Sequence, residues 1–455
     1  MIHLKAIKNQ LPNEVKATFS ELKVPSFLRQ AHIHKQKGYS VAVIFTFLFS
    51  LVFKGKSLHQ VLSGREADQW MKKDTVYRLM NDPHNNWRTF LLRFSTSVIE
   101  KIHRLTDPQT HLRTLILDDS TFYRNRSQKV PGLARLWDHA LQKGYKGYRM
   151  LTLGFSDGYS FLPIDFSLLS GNKKVQPTIS VQDQRTVGAR RFKEAQRPMP
   201  EVAVEMVARA LDQGIYATHV LMDKWFTCPK MIDRLHDLGI HTIGMMKNGK
   251  TKYLYQGRFY KLSELYQKST EEVTAEAILS SIIVQPCAGQ HPVKIVFVKN
   301  HSKQSAWLAI MTDDLTLSSQ EIVKTYSLRW DIETFFKASK SLLHLAQETQ
   351  TRNYQALLCH TTIVFTRYIL LSWQQRCAND ERTLGGLFYE LADQMKELDW
   401  SVALLELVKI IQAVSEKAES TLQDFIESQL QHWIDTLPNY IKGYLPNLVS
   451  KCKIY

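Results

Sequence analysis

The sequence is poor in cysteine, and the cysteines it has form no pattern. Cys228, Cys287, Cys359, Cys377 and Cys452 are odd in number, far apart and without a Cys-x-x-Cys pair. Neither a disulfide framework nor a zinc site is indicated, and a reducing cytoplasm, with the nucleoid as place of work, is the expected compartment. Long apolar runs are missing too. The longest, Val41 to Phe53, is broken only by Thr46 and Ser50; it is too short to span a bilayer and reads as a buried helix. The opening Met1-Ile2-His3-Leu4-Lys5 lacks the apolar core and small-residue cleavage site of a secretory signal. Repeats and low-complexity tracts are absent.

Acidic side chains are in deficit, with 43 Asp and Glu against 59 Lys and Arg, a formal net charge of +16 and a pI near 9.4. An excess of that size is the footprint of a polyanion partner, and nucleic acid fits it better than a membrane. At 455 residues, 44% hydrophobic and 22% charged, the chain has the composition of a folded soluble protein with room for two or three domains.

Residues 1–105 read as helical. Lys72 to Met80 is a short periodic run with Asp74 or Thr75 as its N-cap. With Thr75, Tyr77 and Arg78 near its start it suits a reading element in a DNA groove; it suits equally an ordinary bundle whose basic residues are solvated. After Pro108 strands take over. Thr114-Leu-Ile-Leu runs into Asp118-Asp119, two strands flank the hairpin signal Asp157-Gly158, and Thr218 to Met222 ends at Asp223. Ser170 to Pro200, polar and basic with Arg190-Arg191-Phe192-Lys193, reads as a mobile loop. Helices near 201–211 and 230–238 and a strand at 242–246 complete the order strand, hairpin, helix, strand, helix, strand, which is that of a ribonuclease-H-like α/β core in residues 106–249. Residues 250–313 are β-rich again, with strands at 253–262, 278–284, 293–298 and 307–311. Residues 314–350 return to the core as a helix, and 351–455 are helical.

That returning helix carries the most informative stretch. Tyr326, Arg329, Glu333, Lys337 and Lys340 recur at spacings of three, four, four and three, which places them on one helical stripe, a carboxylate among cations and a phenol. A solvated face with Glu333 paired to Arg329 and Lys337 would show the same spacing. The order Tyr, two residues, Arg, three residues, Glu, six residues, Lys resembles the YREK signature of the insertion-sequence-4 family of DDE transposases, in which the Glu is the third catalytic carboxylate.

The resemblance implies two catalytic aspartates upstream. Asp119-Ser120-Thr121 is similar to the Asp-x-Thr that closes the family's first strand, which implies Asp119 as catalytic, with Asp118 as fallback; Ser120 stands where Gly or Thr is more usual. Asp223, followed by Lys224-Trp225-Phe226, resembles the second aspartate. It further implies that Tyr326, Arg329 and Lys340 contact phosphates, with Lys337 a weaker contact outside the signature. Trp307, in the β-rich insertion, is the counterpart of a tryptophan that stacks on a flipped base; a core tryptophan on an interior strand is the other reading. His139 reads as a satisfied structural histidine.

Asp119, Asp223 and Glu333 converging on one point repel each other unless a cation neutralises them. Hard oxygen ligands point to Mg²⁺, with Mn²⁺ as substitute, and a pair of ions can activate a nucleophile and stabilise a leaving oxygen at a phosphodiester. The expectation is a DNA transposase that binds terminal inverted repeats, cuts at the ends and joins the 3′-hydroxyls to target DNA, working as a homodimer on double-stranded DNA through its C-terminal helices, with no membrane partner. A transposase-derived DNA-binding protein without cutting activity, and a ribonuclease-H-like nuclease, are the rivals.

Overall fold

The computed structural model describes residues 13–35, 37–63, 71–105, 113–175, 183–271, 277–300, 306–347, 350–377, 382–417 and 419–436. Strand β1 (Thr114–Tyr123) organises it. Its first four residues are buried, because sheet neighbours and helices cover it all round, and its apolar run supplies the side chains for that position. It pairs antiparallel with β3 (Lys143–Ser156) and parallel with β5 (His219–Met222). Strand β4 (Phe161–Leu169) lies antiparallel on the far side of β3, and β6 (His241–Met245) parallel on the far side of β5. The turn between β3 and β4 is the one expected at Asp157-Gly158: Gly158 has φ +87°, and Asp157 Oδ1 accepts from the N–H groups of Tyr159 and Ser160. The order β4-β3-β1-β5-β6, an antiparallel meander followed by two strands parallel to the first, is ribonuclease-H-like.

The sheet does not stop at β6. Strand β12 (Trp307–Thr312) pairs antiparallel with β6, and the order continues through β11 (Val293–Lys299) and β10 (Ile278–Pro286) to β7 (Lys252–Tyr255) and β8 (Arg258–Lys261). The 253–262 stretch, expected as one strand, is the β7–β8 hairpin, because Gln256 and Gly257 take φ of +47° and +76° and turn the chain back, as a two-residue hairpin loop requires. A second apolar cluster, with Tyr253, Leu262, Val284, Phe297 and Met311, lies under this part.

The helices before and after the sheet share one core with it. A buried helix (Tyr354–Cys377) packs against the helices Val41–Ser50, Lys73–Asn81 and Trp87–His103 and against β4. It is long and apolar enough to cross a membrane, and its apolar window is wholly buried inside the protein instead. Arg367 on that helix is 0% exposed. Its guanidinium donates to the carbonyls of Leu48 (2.6 Å) and Phe49 (3.0 Å) in the last turn of Val41–Ser50, and to Leu343 O (3.2 Å). Helix-end carbonyls have no intrahelical partner, so one cation satisfies three buried acceptors and ties the N-terminal helices to the segment carrying Glu333.

Several expectations change. The 170–200 stretch contains a helix (Val187–Glu194) started by Thr186, whose hydroxyl accepts from Ala189 N. Its buried Arg191 and Glu194 meet Arg88, Asp165 and Arg209: Arg88 bridges Asp165 (2.9 Å) and Glu194 (2.6 Å), and Arg209 reaches Asp165 (2.8 Å). Burial would push the Asp165 carboxyl up; Arg88, Arg209 and Arg191 hold it below its ordinary value. A polar, basic segment thus packs inside because its charges are paired, which linear composition does not reveal. The helix Lys73–Asn81 starts after Lys72, without a side-chain cap, so Asp74 lies in its first turn. The four described cysteines are free; Cys452 lies outside the described residues.

A candidate active site at the carboxyl ends of β1 and β5

The 326–340 stretch is two helices rather than one. The first (Ser319–Ser327) opens on a capping box at Ser318 and Glu321, and the second (Trp330–Ser341) follows Arg329. Between them the N–H groups of Leu328, Arg329 and Asp331 bond three residues back, to Thr325, Tyr326 and Leu328, a 3₁₀-type tightening of the turn. Ile332 and Phe335 face the core. The tightened turn leaves Tyr326 and Arg329 on the side of the second helix that meets β1.

Parallel pairing sets the first two carboxylates. Leu117 lies opposite Met222, the last pair of the β1–β5 ladder, so the next residues, Asp118 and Asp223, emerge side by side where that pairing ends and β1 runs on beside β3. Successive strand side chains alternate, so Asp118 and Asp119 point to opposite faces. Asp118 Oδ2 accepts from Arg329 Nη1 at 3.1 Å, and Arg329 Nη2 donates to Glu333 Oε1 at 2.5 Å. A single guanidinium, largely buried, therefore joins Asp118 to Glu333. Burial, and then Asp223, push the Asp118 carboxyl up to about 7 against the opposing pull of Arg329. Asp223 spends Oδ1 on the N–H groups of Trp225 (2.8 Å) and Phe226 (3.3 Å).

Asp119 is committed elsewhere. Its Oδ2 accepts from Arg149 Nε (2.7 Å) and Nη2 (2.6 Å), across the β1–β3 ladder. Where the sequence favoured Asp119 over Asp118, the geometry brings Asp118 to Asp223 and Glu333, and the reason is strand alternation. Two adjacent acids after an apolar run leave the choice open to any reading without the register.

Lys340 reaches back to β1, with Nζ 2.6 Å from Ser120 Oγ and 3.1 Å from Thr121 Oγ1; burial lowers its ammonium pKa. The Tyr326 hydroxyl is buried beside the Arg329 guanidinium, and burial pushes it up to about 12 against the opposing pull of Arg329, with Asp223 and Asp118 adding to the shift. Lys337 is exposed one turn beyond Glu333. Trp307 opens β12 at the same sheet end as the carboxylates, since β12 runs antiparallel to β6, but its ring stacks on Tyr266 at 5.2 Å and meets Phe297 edge-on at 5.1 Å. One of its faces is therefore already covered. Arg78 is exposed on the helix Lys73–Asn81, which packs on Tyr354–Cys377, outside the carboxylate cluster. His139 is exposed after β2 (Ala134–Asp138) and is not a core histidine. Two further exposed aromatics flank the acids: Trp225, 52% exposed in the turn after Asp223, and Trp330, 64% exposed beside Arg329. The signal for both is their position next to the acids.

The arrangement suits a divalent cation. Asp118, Asp223 and Glu333 offer hard oxygen donors, and the Asp118 carboxylate is destabilised by burial and by the neighbouring charge of Asp223. Ribonuclease-H-like folds with acids at these strand ends form a class of nucleic-acid phosphodiester enzymes. Residues 46–260 match the family model described as DDE superfamily endonuclease, and residues 197–370 match the transposase DDE domain. The two matches support a DDE transposase, a nuclease-type enzyme whose substrate is DNA and whose class uses divalent metal ions. No curated protein matches the chain.

Proposed function

We propose that this chain is the transposase of an insertion sequence, of the insertion-sequence-4 branch that carries YREK, and that Asp118, Asp223 and Glu333 are its catalytic triad. The observation that carries the reading is the neighbouring placement of Asp118 and Asp223 with Arg329 joining Asp118 to Glu333. These three residues would hold Mg²⁺, in two-ion form, with Mn²⁺ as substitute; the ions supply an activated nucleophile and stabilise the leaving oxygen. The protein's own groups do the rest. Tyr326 Oη, beside Arg329, offers one hydrogen bond to a phosphate oxygen. Arg329, between Asp118 and Glu333, supplies a planar fork for phosphate oxygens. Lys340 holds the Ser120 and Thr121 hydroxyls and adds positive charge beside the strand end, and Lys337 extends the cationic track outward.

In this reading residues 1–105 bind the terminal inverted repeats, with Arg78 toward the backbone, and 250–313 form an insertion between the second aspartate and the glutamate. The hairpin formed by the helices Leu384–Ser415 and Ser420–Thr436 brings two protomers together. Its exposed Ile410, Val414, Leu422 and Phe425 support that last role. The protein cuts at the repeat boundary and joins the 3′-hydroxyls to target DNA. The test is cleavage of a fragment carrying the flanking inverted repeats, with Mg²⁺, by wild type and by Glu333→Gln. Cutting by wild type, with binding but no cutting by the variant, is the expected result. Binding without cutting by both proteins would leave only a DNA-binding protein.

A further inference from the structure

At the other end of the same strands the structure gathers histidines. His236 ends the helix Pro229–His236, His241 begins β6, and Asp313 follows β12. The Nδ1 atoms of His236 and His241 approach one oxygen, Asp313 Oδ2, at 2.9 and 3.0 Å. These three ligand atoms lie within 4.8 Å of one another, the one such His, Cys and carboxylate group among the described residues.

Asp313 is aimed from behind. Its Oδ1 accepts from Thr242 N (2.7 Å) and Thr242 Oγ1 (2.8 Å), which turns Oδ2 toward the two imidazoles, as a hydrogen-bonded ligand carboxylate is turned toward its metal. The Asp313 side chain is 0% exposed, whereas His236 and His241 are 37% and 41% exposed, so an ion has a path in. His291 stacks on His236 with centroids 3.7 Å apart, an arrangement that disfavours charge on both rings. With neutral imidazoles Asp313 keeps a negative charge held by hydrogen bonds alone, since among the described residues no Lys or Arg lies within ion-pair distance of it, and a cation at Oδ2 would neutralise that charge.

We propose that His236 Nδ1, His241 Nδ1 and Asp313 Oδ2 bind one borderline divalent transition ion, Zn²⁺ being the best fit, with water in the fourth position. Bonds of about 2.0–2.2 Å at tetrahedral angles separate ligand atoms by roughly 3.3 Å, so the two His–Asp distances of 2.9 and 3.0 Å lengthen by a few tenths of an ångström to admit the ion. Each neutral ring moves its proton from Nδ1 to Nε2, so no net proton is released. Imidazole selects this class of ion over Mg²⁺, which keeps the site distinct from the carboxylate cluster. The ion would clamp a helix end, the start of β6 and the end of β12, where the core sheet passes into the β-rich strands and the chain turns toward the helices bearing Tyr326 and Glu333.

The test uses the purified full-length protein. Zn²⁺ is titrated in competition with a chromophoric chelator, with excess Mg²⁺ present, for wild type, His236→Gln/His241→Gln and Glu333→Gln, and melting is followed with and without Zn²⁺. One equivalent bound by wild type and by Glu333→Gln, a Zn²⁺-dependent rise in Tm, and loss of both in the double variant are expected. Failure of wild type to compete for Zn²⁺, or an unchanged equivalent in the double variant, overturns the site. Should the double variant not fold, Co²⁺-loaded wild type decides: strong visible absorption of a four-coordinate ion supports the proposal, and the weak spectrum of a six-coordinate one overturns it.

Discussion

The two ends of β5 solve opposite electrostatic problems within four residues, roughly 13 Å of strand. At the carboxyl end Asp118 meets Asp223 with one arginine between Asp118 and Glu333, and its carboxyl is pushed up to about 7, by burial first and by Asp223 next. At the amino end His219 Nε2 sits 3.1 Å from Asp314, and His236, His241 and Thr242 surround Asp313. Burial would push the Asp313 carboxyl up, yet these partners hold it below its ordinary value. One end is short of positive charge and the other has donors for each acid. Such a shortage is tolerated where a substrate or ion fills it, so the carboxyl end reads as the chemical end and the amino end as a clasp.

The sharpest way to break that comparison is to neutralise the acids at the carboxyl end one at a time. Asp118→Asn is expected to lower DNA cleavage by about 10³-fold, the size of loss seen when one charge-stabilising group leaves an active site. Asp119→Asn, whose acid pairs with Arg149, should fold less well but retain measurable cleavage. Equal loss of cleavage in two well-folded variants would show that strand alternation does not choose between them.

Neutralising Asp313 tests the amino end. Asp313→Asn weakens acceptance from His236, His241 and Thr242 in a buried site, and should destabilise the metal-free protein by about 2–3 kcal/mol in denaturant unfolding. Because the folded carboxyl lies below its unfolded value, its contribution is present above that unfolded value and is lost as pH falls through the folded one. The wild-type advantage over Asp313→Asn should therefore shrink toward acid pH.

The carboxyl end predicts the reverse sign. The Asp118 carboxyl lies at about 7 against an ordinary 3.8, so between those values the folded protein holds a proton that the unfolded chain has released. Its contribution is full below about pH 4, falls as pH rises, and is flat beyond about pH 7. Metal-free Asp118→Asn should lack that slope and at pH 8 be more stable than wild type by on the order of 1 kcal/mol, while being inactive. A less stable variant at pH 8 would mean that the Arg329 contact outweighs burial and the repulsion from Asp223 together.

Much of this was readable in the chain. The run Thr114 to Leu117, the turn at Asp157-Gly158 and the strand ending at Asp223 gave the core order, since apolar runs and turn chemistry are local. The spacing of Tyr326, Arg329, Glu333 and Lys340 marked the helix that meets β1. What stayed hidden needed partners distant in sequence. Asp118 and Asp119 are separated only by pairing with β3 and β5. Arg191 is buried because Asp165 and Glu194 meet it there. The clasp joins His236, His241 and Asp313, separated by up to 77 residues, and no cysteine marks it.

The smallest expected effect concerns Lys337, which lies on the stripe yet is exposed, unlike Lys340, which is held by Ser120 and Thr121. A solvated lysine that meets one phosphate contributes mainly through counterion release. Lys337→Ala should weaken DNA binding only a few-fold, equally for specific and random fragments, and reduce the slope of log affinity against log salt by about 1. Lys340→Ala should instead impair cleavage more than binding, because its charge sits at the strand end beside the acids rather than along the track. Binding curves at several salt concentrations, read beside cleavage rates on the same fragment, separate the two lysines. If Lys337→Ala leaves the salt slope unchanged, DNA does not follow the outer stripe, and the path of the duplex would have to pass on the side of Trp225.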